Sequence, residues 1–309
     1  MRVLYLGTPD FAAVSLRALM DNGCDVCGVF TQPDRPSGRG QRVHAPPVKA
    51  LAASRGIPVF QPEKLRAEEN RPIVEDLDPD IIITVAYGQL VPAWMLRLSR
   101  LFPVNMHTSL LPRWRGAAPV ARAILSGDAV SGVTTMVMDE SFDAGDILLR
   151  MEVPISIETT TGELAGTLAE AGARLLLQTL EGLQSGNLAP TPQDEKLATW
   201  AHKITKAEAT VSWEWPAMEI HNRIRALNPW PGAVIDFRGE RISLWRSLPL
   251  QGEEKAAPGT LLGVVGDSLR VACGGADAID IIEIQRPGKK RINGREFAAG
   301  ARLKPGQSM

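Results

Sequence analysis

The chain has 309 residues, of which 44% are hydrophobic and 22% are charged, and its formal net charge is -1. This length suggests about two domains, and the composition provides a large core and argues against a disordered chain. No run of about 18 apolar residues is present, so we expect no membrane-spanning helix. The N-terminus lacks the long apolar core of a signal peptide, and three cysteines cannot all pair, which together favour a cytoplasmic location.

Strands and helices alternate in the first part of the chain. Continuous apolar runs predict strands buried on both faces, and apolar residues at helical spacing predict helices. In chain order, the predicted elements are a strand over 3–6, a helix over 11–20, strands over 25–30, 81–86 and 104–106, a helix over 117–125, a strand over 133–137 and a helix over 162–186. This order predicts an open α/β sheet, whose ligands bind beyond the carboxyl ends of the strands.

A polar segment divides the chain into two predicted domains. It covers 190–208, contains two prolines, and is predicted to be a linker between a domain over 1–189 and a domain over 209–309. After a short predicted helix, the second domain is rich in short strand candidates, which are 242–245, 260–265, 269–272 and 278–284. Several short strands joined by tight turns predict a small barrel such as an OB-fold.

Charge is distributed unevenly between the two parts. Residues 1–195 carry 17 Lys and Arg against 23 Asp and Glu, whereas residues 196–309 carry 17 against 12. A basic second part indicates a polyanionic partner such as nucleic acid. Unevenly distributed surface charge without function is the alternative interpretation.

Two polar segments are candidates for chemistry. Asn105 and His107 alternate at the carboxyl end of a predicted strand, so they point the same way. An amide and an imidazole side by side can donate hydrogen bonds to a developing oxyanion, and an imidazole can also move protons. An acidic loop over 138–147 follows the next strand, and one of its carboxylates could reach His107.

Other cofactor patterns are absent from the sequence. Cys24-x-x-Cys27 has metal-ligand spacing but has no second cysteine pair or nearby histidine, so no metal site is expected. Neither the dinucleotide-binding fingerprint nor the Walker pattern occurs, so NAD and ATP are not expected.

The motifs around these polar residues resemble the folate-dependent formyltransferases. An Asn-x-His-x-Ser-Leu-Leu-Pro segment at 105–112 is followed by Asp-x-Gly-Asp at 143–146, as in that family. Further segments resemble the methionyl-tRNA formyltransferases within it, namely GTPDFA (7–12), TQPDRPSGRG (31–40), LLPRWRGAAP (110–119), KITK (203–206), LNPWPG (227–232) and PGKK (287–290). The similarity therefore runs nearly from end to end.

The resemblance implies a fold, a reaction and catalytic residues. The fold would be a Rossmann-like formyltransferase domain followed by a small OB-fold-like β-barrel that helps to bind tRNA. The formyl donor would be 10-formyltetrahydrofolate, and the acceptor would be the free amino group of initiator methionyl-tRNA, which attacks the formyl carbon directly. Asn105 and His107 would stabilise the oxyanion, and Asp143 would orient His107 and assist proton removal. No obligate protein partner is implied.

The resemblance also implies binding residues. The implied folate contacts are Ser109, Leu110, Leu111, Pro112, Tyr87, Gln89 and Leu90. The implied acceptor contacts are Phe11, Arg35, Arg39, Arg42, Lys203 and Lys206, and a plain core role is an equal alternative for Phe11. A formyltransferase that acts on a small amine, such as glycinamide ribonucleotide or an amino sugar, would share the catalytic residues. A non-catalytic RNA-binding protein is a third interpretation, against which the complete catalytic set argues.

Overall fold

The computed structural model of the protein describes residues 1–37, 42–252 and 254–309. The chain divides into two compact units, each made of separate segments. The first unit contains residues 1–119, 130–154 and 165–201. The second unit contains residues 120–129, 155–164 and 202–309.

Strands and helices alternate up to Ser185. In chain order these elements are β1 (Arg2–Gly7), α1 (Asp10–Asp21), β2 (Asp25–Phe30), β3 (Arg35–Ser37), β4 (Arg42–His44), α2 (Pro47–Ser54), β5 (Val59–Phe60), α3 (Arg71–Leu77), β6 (Ile81–Val85), α4 (Ala93–Leu96), β7 (Val104–His107), β8 (Arg115–Gly116), α5 (Pro119–Leu125), β9 (Val130–Val137), β10 (Ile147–Pro154) and α6 (Thr161–Ser185). The long predicted strands and helices of this part are all present within a few residues of their expected bounds.

Seven strands of the first unit form one mixed sheet, in the order β10-β9-β7-β6-β1-β2-β5. Five neighbouring strands of this sheet run parallel, and they are β7, β6, β1, β2 and β5. The strands β9 and β10 are antiparallel to their neighbours and form one edge. The carboxyl ends of β1, β6 and β7 therefore meet at one edge of the sheet, which is where ligands bind in open α/β folds.

Both faces of the central strands are buried. In β1, Val3 and Tyr5 belong to one apolar cluster and Leu4 and Leu6 belong to another, and all four are fully buried. Side chains alternate between the faces of a strand, so this run fills two cores. Met106 of β7 belongs to the first cluster, on the face covered by α1 and α6, so its neighbours Asn105 and His107 point to the other face.

The segment predicted as a linker contains ordered elements. Residues 195–197 form a 3-10 turn, and Trp200–Ala201 form β11, which pairs with β8. Thr191 forms an isolated bridge with Ile147. A second 3-10 turn covers Lys206–Ala209. Residues 190–201 therefore pack as part of the first unit.

The second unit is built around an antiparallel sheet in the order β12-β13-β16-β15-β14, with β17 paired to β16. Its elements are α7 (Ala217–Ala226), β12 (Ala233–Phe237), β13 (Glu240–Leu250), β14 (Leu261–Val265), β15 (Ser268–Cys273), β16 (Asp277–Gln285), β17 (Arg291–Asn293) and α8 (Gly294–Ala301). Apolar residues of both helices and of the sheet share one core. The predicted α/β domain followed by a small β domain is confirmed.

No helix among the described residues combines the length and the apolar character that crossing a lipid bilayer requires.

Candidate active site

Asn105 and His107 lie side by side at the carboxyl end of β7. Asn105 pairs with Thr84 of β6 on one side and with Met136 of β9 on the other, and His107 pairs with Thr134. His107 is 7% exposed. Asn105 is half-buried, and its amide makes no hydrogen bond to any described residue. The two groups therefore share one face, and the amide of Asn105 is free to bind a ligand.

Backbone contacts fix the ring of His107. Its Nε2 lies 2.9 Å from the carbonyl oxygen of Trp114. A carbonyl can only accept a hydrogen bond, so Nε2 carries the hydrogen and Nδ1 is left for another partner. Nδ1 lies 3.8 Å from Oδ1 of Asp143, close enough for an ion pair but too long for a direct hydrogen bond. The structure thus brings together the three residues for which the sequence predicts catalytic roles.

Asp143 lies in the loop between β9 and β10. Its φ is 53°, in the left-handed region that non-glycine residues seldom adopt. Its Oδ2 accepts a hydrogen bond of 2.9 Å from the backbone N–H of Gly116. A side-chain atom at Gly145 would overlap the carbonyl oxygen of Val137, so the loop closes tightly against the end of β9.

Three side chains that the sequence analysis did not select border this group. Gln193 donates from Nε2 to the carbonyl oxygens of Asp143 and Gly145, at 3.0 and 2.7 Å. Thr199 accepts a hydrogen bond of 2.9 Å from the backbone N–H of Trp114. The third, Thr84, is buried beside Asn105. Gln193 and Thr199 come from the segment predicted as a linker, where nothing in the local sequence marks them.

The predicted folate segment over 109–112 is largely buried. The hydroxyl of Ser109 donates to the carbonyl oxygen of Arg113 at 2.7 Å. Thr134 ties the segment to β9, since its Oγ1 donates to the Ser109 carbonyl at 2.6 Å and accepts from the Leu111 N–H at 3.1 Å. Leu111 and Pro112 are buried, and Leu110 is half-buried.

The second predicted folate segment follows β6. Tyr87 is buried, and its hydroxyl has no hydrogen-bond partner among the described residues. Gln89 accepts a hydrogen bond of 2.7 Å from the backbone N–H of Leu65, which holds its side chain against 62–65. Leu90 is 72% exposed. This segment thus presents an apolar side chain and a buried hydroxyl near the end of β6.

The residues predicted to contact the acceptor lie in several places. Phe11 is half-buried in α1 and packs against the first apolar cluster. Arg35 is exposed on the β3–β4 ribbon. The backbone of Arg42 lies in the same ribbon, and Arg39 lies outside the described residues. Lys203 and Lys206 are exposed in the second unit.

No group of three His, Cys, Asp or Glu residues in the described ranges is arranged to hold a metal ion.

Comparison with known proteins assigns the chain to a family. The profile for formyl transferase matches residues 1–180, and the profile for the C-terminal domain of formyl transferase matches residues 203–302. The chain belongs to the formyl transferase family. The sequence prediction is therefore confirmed at the level of the family, and the Asn105, His107 and Asp143 group lies within the part matched by the first profile.

Solved structures share the fold of this formyltransferase. HypX from Aquifex aeolicus, solved in complex with tetrahydrofolic acid, has a TM-score of 0.62 and 21% identity, over 100% of this chain and 48% of HypX. The chain thus spans about half the length of HypX. WlaRD, a sugar 3N-formyltransferase solved with dTDP and 5-N-formyl-THF, has a TM-score of 0.67 and 18% identity, over 94% of this chain and 99% of WlaRD. An N-formyltransferase from Helicobacter canadensis, complexed with folinic acid and dTDP-3-aminofucose, has a TM-score of 0.64 and 18% identity, over 92% of this chain and 98% of that enzyme.

Proposed function

We propose that this formyltransferase transfers the formyl group of 10-formyltetrahydrofolate to the amino group of methionyl-tRNA. One observation carries the reaction type: an amide, an imidazole and a carboxylate converge at the carboxyl end of β7, within the part of the chain matched by the formyl transferase profile. The segments that resemble methionyl-tRNA formyltransferases support the choice of acceptor.

The three side chains would divide the chemistry between them. The amide of Asn105, and Nδ1–H of His107 when the ring carries a proton on both nitrogens, would donate hydrogen bonds to the formyl oxygen as negative charge develops on it. Trp114 already holds the other nitrogen of the ring, so the ring cannot turn away. Asp143 would stabilise the charged imidazole and accept a proton from the attacking amine, directly or through one water molecule. The tetrahedral intermediate would then collapse, the bond from the formyl carbon to N10 of the donor would break, and the proton would pass to N10 as tetrahydrofolate leaves.

The residues near the ends of β6 and β7 fit a folate. When bound, 10-formyltetrahydrofolate supplies the formyl group that is transferred. The hydroxyls of Thr84 and Tyr87 are buried without a hydrogen-bond partner among the described residues, and burial of an unpaired hydroxyl costs about 1–3 kcal/mol. A polar ring edge that paired with them would remove that cost. The exposed Leu90 would cover the face of such a ring.

Unpaired basic side chains of the second unit support a tRNA acceptor. Lys289 and Lys290 are exposed in the loop between β16 and β17, and neither makes an ion pair with a described residue. A hydrogen bond of 3.1 Å from the Lys289 N–H to the Arg286 carbonyl forms the turn that presents them. Lys203 and Lys206 are also exposed and unpaired among the described residues. Cations in this arrangement bind phosphates without reading sequence.

An amino sugar is the second candidate acceptor. The matched structures include WlaRD, a sugar 3N-formyltransferase, and the Helicobacter canadensis N-formyltransferase complexed with dTDP-3-aminofucose, and both match this chain over nearly their whole length. A sugar nucleotide would have no use for the Lys289 and Lys290 loop, because it is too small to need phosphate contacts beyond its own site. The need for the Lys289 and Lys290 loop therefore distinguishes a tRNA acceptor from an amino-sugar acceptor.

The test is a comparison of acceptors. Purified enzyme is given 10-formyltetrahydrofolate with methionyl-tRNA, a dTDP-amino sugar or glycinamide ribonucleotide, and kcat/KM is measured for each. We expect methionyl-tRNA to give the highest value by several orders of magnitude. A higher kcat/KM with either small amine would overturn the tRNA assignment and leave the formyl-transfer assignment intact.

Charge variants test the binding of phosphates by these lysines. The double variant Lys289→Glu/Lys290→Glu should raise KM for methionyl-tRNA and leave KM for the formyl donor unchanged. It should also reduce the slope of log affinity against log salt by roughly 0.7–0.9 for each phosphate that is no longer neutralised. The matched control is Arg17→Glu/Arg174→Glu, which makes the same change in net charge at exposed positions of α1 and α6. An equal effect of the control would show that only net charge matters.

A further inference from the structure

One segment of the chain, residues 193–199, contacts both the loop that carries Asp143 and the backbone that holds the ring of His107. Gln193 hydrogen-bonds to the loop that carries Asp143, and Thr199 hydrogen-bonds to the backbone of Trp114, whose carbonyl holds the ring of His107. The carbonyl of Thr199 also accepts from the Arg115 N–H at 2.9 Å. This segment can therefore set the distance between the imidazole and the carboxylate.

The amide of Gln193 can adopt only one orientation. Its Oε1 accepts hydrogen bonds from Nε and Nη2 of Arg115, at 3.0 and 2.8 Å. A guanidinium can only donate, so Oε1 must face Arg115 and Nε2 must face the other way. Nε2 there meets the carbonyl oxygens of Asp143 and Gly145, which can only accept. Each N–H donor in this chain of contacts, from Arg115 through Gln193 to the loop, therefore faces an oxygen that accepts.

A buried charge anchors the chain of contacts. Arg115 is 2% exposed, and its guanidinium forms two hydrogen bonds with Glu195, of 2.7 and 2.9 Å. The Glu195 side chain is 70% exposed, so the guanidinium is held by its own burial together with its hydrogen bonds to Glu195 and Gln193. Arg115 is thus a rigid support from which Gln193 reaches the loop.

The loop that carries Asp143 needs a support of this kind. The left-handed conformation of Asp143 is disfavoured for a residue with a side chain, and it persists only where the surrounding structure determines it. The Gly116 N–H holds the carboxylate, and Gln193 holds the backbone of the same residue. Release of the backbone would let the carboxylate move away from Nδ1 of His107.

We propose that Gln193, held by Arg115, is a positioning residue for formyl transfer that acts through Asp143. It touches neither substrate and takes no part in proton transfer. This inference rests on the proposed catalytic role of Asp143. It also gives a function to a segment that the sequence alone predicts to be a linker.

The decisive variant is Gln193→Glu. Glutamate keeps an oxygen for Arg115, and so keeps the buried cation paired, but it has no hydrogen to donate to the two carbonyls of the loop. We expect kcat to fall by about a hundredfold, as a small displacement of a catalytic group can cause, with KM for the formyl donor unchanged. The ¹⁵N resonances of the His107 ring should shift, because the neighbouring carboxylate moves.

Two further variants complete the test. Gln193→Leu removes the hydrogen bonds to Arg115 and those to the loop, and it should lower kcat at least as far as Gln193→Glu. The matched control is the exposed Gln184→Glu on α6, which should keep the wild-type kcat and the wild-type resonances of the His107 ring. Wild-type kcat in Gln193→Glu would overturn the proposal, and so would a fall in kcat with unchanged ring resonances. The resonances are recorded without an acceptor, so a wild-type enzyme inactive toward methionyl-tRNA would refute the acceptor and not the role of Gln193.

Discussion

Nδ1 of His107, at the end of β7, lies 3.8 Å from Oδ1 of Asp143, in the loop between β9 and β10. Their side chains are only 8% and 15% exposed. Charges interact more strongly when they are partly removed from water, so a positive charge on the ring would be attracted to the carboxylate. The pair therefore offers the most direct test of the proposed chemistry.

Asp143→Asn should separate the effect of the Asp143 charge on the rate from any effect of the side chain on stability. Asparagine keeps an oxygen that can accept from the Gly116 N–H, and it tolerates the left-handed conformation of this position. We expect an unchanged thermal midpoint and a fall in kcat of about a hundredfold or more, because the negative charge beside His107 is removed. Single-turnover formyl transfer and thermal unfolding measure the two quantities. Full activity in this variant would exclude a role for the carboxylate.

Asn105→Ala should lower kcat without lowering the stability of the protein. Its amide makes no hydrogen bond to any described residue, so little of the fold depends on it. Loss of one donor to a developing oxyanion costs about 3 kcal/mol, or roughly a hundredfold in kcat. Steady-state kinetics test this expectation, with the exposed Asn187→Ala as the control. Equal kcat in both variants would show that Asn105 does not contact the reacting group.

The sequence predicted the part of the site that lies on regular structure. β7 is recognisable from its apolar residues, and alternation along a strand places Asn105 and His107 on one face. Gln193 could not be found in this way, since it lies in a polar segment and its contacts reach 48 and 50 residues back along the chain. Polar contacts between distant loops follow no periodic pattern. The short helices α2, α3 and α4 were missed for a related reason, because four to eight residues carry too little periodicity.

Gly145→Ala tests how tightly the Asp143 loop is closed. An added methyl group would overlap the carbonyl of Val137, so the loop must shift, at a cost of about 1–3 kcal/mol. We expect lower stability together with lower kcat. The control is Gly166→Ala on α6, where no described atom beyond the adjacent backbone of the helix lies within 4 Å of the added carbon, and which should stabilise the protein by roughly 0.5–1 kcal/mol. Urea unfolding and kcat measured on both variants decide the matter, and wild-type activity in Gly145→Ala would show that the loop position is not critical.

His221 of α7 should make the stability of the second unit depend on pH. The ring is 2% exposed, and its Nε2 lies 2.6 Å from the carbonyl oxygen of Ile157 while Nδ1 lies 3.0 Å from Oγ of Ser247. Nε2 therefore donates to the carbonyl, and Nδ1 of the neutral ring accepts from the serine. Burial lowers the pKa of His221 below its usual value of 6.5, and the nearby Arg225 lowers it further.

A depressed histidine pKa means that the unfolded chain takes up a proton first as the pH falls. The contribution of His221 to stability is thus fully present above about pH 6.5 and decreases as the pH falls toward the lower pKa of the folded state, by about 1.4 kcal/mol for each unit of depression. His221→Gln can keep one donor and one acceptor without titrating, so protection of the α7 amides from hydrogen exchange should depend less on pH between about 7.5 and 5.5 than in wild type. The exposed His202→Gln is the control and should behave like wild type. The same decrease of α7 protection on acidification in wild type and in His221→Gln would show that another group controls it.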